Sequence, residues 1–248
     1  MRGLGTVLNV VAILVGAGLG VLIGHRLPER TRRTVTDALG LVTLVIGGLN
    51  IAALGDEDYI AAVGAGGTLL VVLGALLIGG IGGSLLRIED RLESFGAWLQ
   101  GRFTRGGATE SRARFVEGFV DASLVFCIGP LAVLGSLSDG LGQGIDQLAL
   151  KSTLDGFASL AFAASLGWGV AASAIAVGLW QGLLTVLGAL LGAFMSAALI
   201  ASLTATGGVL LLGVGLRLLN IRQVPVGDLL PALLMAPVIT AVVIAVRG

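Results

Sequence analysis

Carboxylate side chains stand inside two apolar stretches of this 248-residue chain. Glu117 and Asp121 are four residues apart and therefore share one face of a helix, and Asp155 follows Lys151 at the same spacing. Ionisable residues in membrane-spanning segments are costly and commonly belong to ion pathways or proton relays. We therefore predict Asp121 and Asp155 as ligands of a small cation or a proton. Glu117 ranks second, because it is shallow enough to pair with an arginine at the membrane surface.

Hydroxyl groups accompany these acids. Ser123 follows Asp121 and Ser159 follows Asp155, and oxygen atoms of this kind suit Na⁺ or a proton relay. Thr204 and Thr206 form a further polar point in a later apolar stretch. The alternative for these threonines is a hydrogen bond back to their own helix.

A helix-breaking pair, Gly129-Pro130, lies near the middle of the apolar stretch that carries Glu117 and Asp121. Proline removes a backbone donor and frees a carbonyl one turn earlier. Broken helices expose backbone groups that can bind ions or substrates. The alternatives are structural: an ordinary kink at the proline, an arginine beside Glu117 or Asp121, and, for Asp155, an ion pair with Lys151 or a helix cap.

The composition is that of an integral membrane protein. Of all residues 56% are hydrophobic and 12% are charged, whereas soluble domains have about 25% charged residues. We predict an all-α, polytopic transmembrane helix bundle, a single integral membrane domain over residues 1–248. Apolar runs of roughly 20 residues cross a bilayer, and eight spans fit best, at residues 4–24, 34–54, 60–86, 115–137, 148–167, 170–194, 197–218 and 227–246.

Arginine is concentrated in the first, third and seventh loops between these spans. With eight spans the three loops lie on one side, which the positive-inside rule makes cytoplasmic. The acidic second loop, with Asp56, and the acidic fourth loop, with Asp139 and Asp146, then face outside, as do both termini. The third loop, at about residues 87–114, contains apolar residues at helical spacing, which predicts an amphipathic helix on the cytoplasmic surface.

Glycines recur four residues apart, a spacing that lets helices approach closely. The positions are Gly16/Gly20/Gly24, Gly79/Gly83, Gly178/Gly182 and Gly188/Gly192. We expect most of them to pack within the chain, and one such face could form a homodimer. Short similarities between residues 19–30 and 81–91, each followed by a span that opens with an acid, fit either an internal repeat or chance.

Several classes of function lack their motifs. The chain has one histidine and one cysteine, Cys127, so a metal centre and an intrachain disulfide have no ligands or partners. No hydrolase, nucleotide-binding or intramembrane-protease pattern occurs, and we predict no enzyme, no cofactor and no nucleic-acid partner. The lipid bilayer is the expected partner. Asn9 and Gln181 must find polar partners inside the bundle, and no basic group is expected deep in a span.

The chain resembles a family of bacterial inner-membrane proteins, the YdfK/YqgA type, whose function is unknown. Six blocks support the resemblance: Gly5–Ala12, Glu117–Ser123, Gly129–Ser136, Lys151–Ser159, Thr204–Gly208 and Asp228–Leu233. The resemblance covers essentially the whole chain. It implies a multi-pass protein of the bacterial plasma (inner) membrane and brings no established activity. Members often have an acid just before the Thr204 block, where this chain has Ser202.

Together these observations predict a small secondary transporter or ion-conducting membrane protein for a small cation, or a proton-coupled one. The missing deep basic group favours a cation over an anion. Two other functions stay open: a non-transporting scaffold or accessory subunit, and a passive channel.

Overall fold

The computed structural model describes residues 2–24, 28–103, 109–127, 130–191 and 196–247. Over these ranges the chain forms helices and turns, with no strand, and the predicted all-α fold is confirmed. The helices are α1 (Leu4–Gly24), α2 (Glu29–Ile51), α3 (Glu57–Val63), α4 (Ala65–Leu85), α5 (Ile88–Phe103), α6 (Thr109–Cys127), α7 (Pro130–Leu141), α8 (Asp146–Leu166), α9 (Gly169–Leu191), α10 (Ala197–Leu218), α11 (Val226–Leu229) and α12 (Ala232–Arg247).

Within the described residues, six helices are long and apolar enough to cross a membrane. Helices α6 and α7 add a seventh span if they are counted as one, and they are bent by 78° between Cys127 and Leu131. Helix α8 has 21 residues, the length of a span, but it is not among the candidates, because Lys151 and Asp155 reduce its hydropathy. An eighth span at α8 therefore stays a prediction.

Some predicted boundaries are wrong. The predicted third span, residues 60–86, is broken at Gly64, whose φ of 85° ends α3. Asp56 begins α3, because its carboxylate accepts a hydrogen bond from Tyr59 N at 3.0 Å. In the predicted third loop, α5 (Ile88–Phe103) lies where the sequence predicted a helix. Helix α6 begins at Thr109, before the predicted start of the fourth span at residue 115.

The chain divides into two compact units. The first, here called the ionic unit, comprises Met1–Leu39 and Leu92–Ala193. The second, the hydroxyl unit, comprises Gly40–Arg91 and Phe194–Gly248, and its core includes the buried hydroxyls of Ser202 and Thr206. The prediction of a single membrane domain concerns how the two units combine, and it stays a prediction.

In the ionic unit, α1 and α8 run in the same direction and pack closely. Gly16, Gly20 and Gly24 of α1 lie directly against the backbone of α8, at Gly156, Leu160 and Ala164. A side chain at these glycines would overlap α8, so the four-residue glycine spacing allows the contact. These glycines pack within the chain, as predicted.

Helices α6 and α9 run opposite to α1 and α8. The hairpin between α8 and α9 turns at Gly167, which has a φ of 79°. The start of α6 meets the start of α9, where Gly169 lies against Phe115. These directions match the alternation expected for eight successive crossings.

In the hydroxyl unit, α4 packs against α11 and α12, with Gly83 against the backbone of Asp228. The Glu89 carboxylate accepts a hydrogen bond from Gly227 N at 2.5 Å and pairs with Arg217. Asp228 in turn accepts a hydrogen bond from Glu89 N at 2.9 Å. Arg217, predicted to be a charge of the seventh loop, is therefore a half-buried residue of the last turn of α10.

Asp139 is not a residue of an exposed acidic loop, and that prediction is wrong. It is 2% exposed near the end of α7. Its two carboxylate oxygens accept hydrogen bonds from Gly3 N at 2.9 Å and Gly5 N at 3.0 Å. The first backbone N–H groups of a helix have no partner in the helix itself, so Asp139 caps α1 from a distant segment.

Candidate functional site

Helix α8 carries an ion pair into the interior of the ionic unit. Lys151 and Asp155 are one turn apart, and Lys151 Nζ lies 2.5 Å from Asp155 Oδ2. Both residues are buried, at 6% and 7% exposure. Two opposite charges that neutralise each other are far less costly in such a place than one charge alone. This is the ion pair with Lys151 that the sequence left open as the structural alternative for Asp155, and it makes Lys151 a buried basic group where none was expected.

Amide groups from two neighbouring helices extend the pair. Asn9 Nδ2 of α1 donates to Asp155 Oδ2 at 2.9 Å and also to Gln181 Oε1 of α9 at 3.3 Å. Only the NH₂ end of an amide can donate, so the carboxylate fixes the orientation of Asn9. Asn9 and Gln181 are fully buried. The sequence predicts that Asn9 and Gln181 need polar partners in the bundle. In the structure they bond to each other, and Asn9 also bonds to Asp155.

Three buried polar atoms near this network have no hydrogen-bond partner among the described residues: Asn9 Oδ1, Gln181 Nε2 and Ser136 Oγ. Ser136 is fully buried on α7. Around it, Gly135 packs on α8, Asp139 on α1 and Gly140 on α9, so Ser136 faces the junction of those three helices. Native proteins satisfy roughly 90% or more of their buried polar groups. Asn9 and Gln181 therefore each retain one polar atom that a ligand or an ordered water would satisfy.

The bend between α6 and α7 lies at about the level of the ion pair. Gly118 of α6 packs against Leu166 of the antiparallel α8, so Cys127, the last residue of α6, lies at about the level of Asp155. Pro130 is the first residue of α7, a position where its missing N–H costs no helical bond. Gly129 lies outside the described residues. The end of α6 therefore lies at about the level of the buried carboxylate.

Asp121 lies at a different level from Asp155. It is 1% exposed on α6. Gly118 of α6 packs against Leu166 of the antiparallel α8, which puts Asp121 about eight residues of α8, or about 12 Å, from Asp155. The side-chain partners of Asp155 are Lys151 and Asn9. The structure thus does not bring the two predicted acids together.

The other predicted site residues are dispersed. Glu117 is half-buried on α6, one turn before Asp121. Ser159 Oγ donates to Gly156 O at 2.9 Å in its own helix. Ser123 Oγ has no hydrogen-bond partner in the described part of the chain.

Thr204 and Thr206 belong to the hydroxyl unit. Each donates to a carbonyl of its own helix, at Ile200 and Ser202, both at 2.8 Å. This is the alternative that the sequence left open for them. It leaves both hydroxyls satisfied without a ligand.

Comparison with known proteins shows that the chain matches a described family. The family described as "Protein of unknown function (DUF554)" matches residues 4–241. This chain belongs to that family. It is 31% identical over 238 residues to "Uncharacterized protein YqgA" of Escherichia coli (strain K12), with 96% of each chain covered.

A second relative is "Uncharacterized membrane protein YdfK" of Bacillus subtilis (strain 168). It is 29% identical over 240 residues, again with 96% of each chain covered. The resemblance found in the sequence is therefore confirmed, and the chain is a helical membrane protein. No solved structure matches it significantly.

Proposed function

We propose that the protein is a secondary transporter of a small monovalent cation, with Asp155 as the carboxylate that binds the ion. One observation carries the proposal: a buried, hydrogen-bonded carboxylate lies at about the level at which α6 ends and the chain bends into α7. Discontinuous helices in transporters place backbone groups and ion ligands at the same point. Asp121, which the sequence ranked equally, is assigned no ligand role here.

The test is cation flux through purified protein in liposomes, driven by a Na⁺, Li⁺ or K⁺ gradient. Wild-type vesicles are expected to take up at least one of these ions faster than empty vesicles. Asp155→Asn should remove this flux. The double variant Asp155→Asn/Lys151→Gln, which leaves no unpaired buried charge, should lack flux as well while retaining the fold.

Asp146→Asn is the matched control, because Asp146 is an exposed acid in the first turn of the same helix. It should transport at the wild-type rate. Flux that survives both Asp155 variants would contradict the proposal. Wild-type vesicles without flux, from protein that purifies with a partner in fixed ratio, would indicate an accessory subunit instead.

The remaining expectations accompany this proposal. The protein would lie in the bacterial inner membrane with both termini outside and the bilayer as partner of its exposed apolar faces. It would have no catalytic activity and no nucleic-acid partner.

A homodimer through a glycine-rich face would use Gly182, where an added side chain meets open space, rather than Gly16 or Gly20.

A further inference from the structure

Four polar side chains form a seam between α1 and α9, inside the ionic unit. Thr6 Oγ1 of α1 lies 3.4 Å from Thr185 Oγ1 of α9. Further into the unit, Asn9 Nδ2 lies 3.3 Å from Gln181 Oε1, and it also donates to Asp155. Resting on the proposed function, we propose that the transported cation enters along this seam, between the two threonine hydroxyls, and so reaches Asp155.

The spacing of these residues keeps them on one face of each helix. Thr6 and Asn9 are three residues apart on α1, and Gln181 and Thr185 are four apart on α9. Because the two helices run in opposite directions, hydroxyl meets hydroxyl and amide meets amide. The hydroxyl pair lies in the first turn of α1, about 5 Å along the axis before the amide pair. The seam therefore connects the end of the unit at which α1 begins with the buried carboxylate.

The contacts across the seam are long. Hydrogen bonds in proteins measure about 2.5–3.0 Å for O–H···O and about 2.7–3.2 Å for N–H···O. The threonine pair, at 3.4 Å, and the amide pair, at 3.3 Å, both exceed these lengths. Asn9 by contrast lies 2.9 Å from the Asp155 carboxylate on α8. Helices α1 and α9 can therefore separate at the seam without losing a strong hydrogen bond.

Polar atoms of the amide pair are unsatisfied while the seam is closed. Asn9 Oδ1 and Gln181 Nε2 have no hydrogen-bond partner among the described residues, and both side chains are fully buried. Such atoms carry a free-energy cost, which water or a hydrated cation in an open seam would remove. Thr6 and Thr185 are 8% and 6% exposed. The threonine pair therefore closes the seam towards solvent in this structure.

A carboxylate lies beside the threonine pair. Asp139 of α7 accepts a hydrogen bond from the backbone of Gly5, the neighbour of Thr6. The residue after it, Gly140, lies directly against the backbone carbonyl of Thr185. A negative charge in such a place attracts cations and repels anions. An entering cation would thus meet this carboxylate first and the two hydroxyls next.

Thiol accessibility tests the seam without relying on transport. In a Cys127→Ala background, Thr185→Cys is compared with Val177→Cys, purified in nanodiscs so that both faces meet the reagent. Val177 is fully buried on the same face of α9, one turn beyond Gln181. A permanently charged trimethylammonium-ethyl methanethiosulfonate should modify Thr185→Cys and leave Val177→Cys unmodified. The sulfonate analogue, an anion, should modify Thr185→Cys about tenfold more slowly.

Cation flux in liposomes tests whether ions use the seam. Thr185→Val keeps the shape of the side chain and removes the hydroxyl. It should lower flux about tenfold, because a passing cation loses a polar contact, whereas Thr185→Ser should transport at nearly the wild-type rate. Ser173→Ala is the matched control, since Ser173 is buried on the same helix and donates to Val170 O of that helix. Modification of Thr185→Cys by the cationic reagent should also abolish its flux.

The outcomes separate the seam from the proposed function and from a purely structural role, in which the pairs only hold the helices together. Wild-type flux with an unreactive Thr185→Cys and normal flux in Thr185→Val would overturn the seam and leave the transporter standing. Equal modification of Thr185→Cys and Val177→Cys would also overturn it. Selective modification of Thr185→Cys in a protein that moves no Na⁺, Li⁺ or K⁺ would overturn the proposed function while showing that the seam opens.

Discussion

The Asp155 carboxylate has one charged partner and one amide partner on the same oxygen atom. We predict that Asp155→Asn costs about 3–5 kcal/mol of stability, because it leaves the buried ammonium of Lys151 unpaired. The double variant Asp155→Asn/Lys151→Met should recover most of the loss. The measurement is the midpoint of thermal unfolding in detergent, with Asp146→Asn as the exposed control. Equal midpoints for Asp155→Asn and Asp146→Asn would show that the pair contributes little.

Part of this site is predictable from the sequence for a simple reason. A charge or an amide in an apolar stretch needs a partner, so Asp155, Asn9 and Gln181 attract attention. The sequence does not show which of these residues are close in space. Asn9 and Asp155 are 146 positions apart in the chain, yet Asn9 Nδ2 lies 2.9 Å from Asp155 Oδ2. Ser136 has no such signal, because serine is common in membrane helices. Asp139 was misplaced because an acid near the end of an apolar run is typical of a loop.

At the scale of elements, the contact between α1 and α8 depends on small residues. A Cβ added at Gly16 would overlap Gly156 O and Ser159 Oγ, whereas one added at Gly18 meets nothing within 4 Å. We predict that Gly16→Ala destabilises the protein by about 1–3 kcal/mol. Gly18→Ala should be neutral or slightly stabilising. Thermal unfolding of the two variants side by side tests this, and equal behaviour would exclude close packing of α1 on α8.

The cap on α1 is a second prediction at this scale. Asp139→Ala removes the acceptors of Gly3 N and Gly5 N, and loss of a cap costs about 0.5–2 kcal/mol. Faster amide hydrogen exchange over residues 3–9 is the expected sign, measured by mass spectrometry. Asp139→Asn, which keeps one acceptor oxygen, should show a smaller increase. Unchanged exchange at the start of α1 in Asp139→Ala would contradict the cap.

At the scale of the whole molecule, the prediction concerns sidedness. In a Cys127→Ala background, Glu57→Cys and Arg222→Cys place single thiols at exposed positions of the second and seventh loops. In intact cells an impermeant maleimide should label position 57 at once. Position 222 should react only after permeabilisation. Labelling of both positions from outside would contradict the alternation of eight crossings.

The sequence predicted the positions of most spans but not the division into two units. Apolar length reveals where helices lie, since a span needs roughly 20 apolar residues. Which helices pack together depends on side-chain shape over long separations. Helix α1, for example, packs on α8 rather than on α2, through glycines that also occur at other four-residue spacings. Helix α8 likewise carries Lys151 and Asp155 because both side chains are buried inside the ionic unit.

The partnership of α1 and α8 has a consequence for biosynthesis. At a translation rate of about 5–20 residues per second, the 121 residues between Gly24 and Asp146 take about 6–24 s to emerge. Helix α1 is apolar enough to insert and wait alone. Helix α8 is poorly suited to insert unaided, because its two buried charged residues, Lys151 and Asp155, would each cost about 2.5–3.5 kcal/mol at the centre of a bilayer. Helix α1 therefore enters the membrane before α8, and its Asn9 can donate a hydrogen bond to Asp155 when α8 inserts.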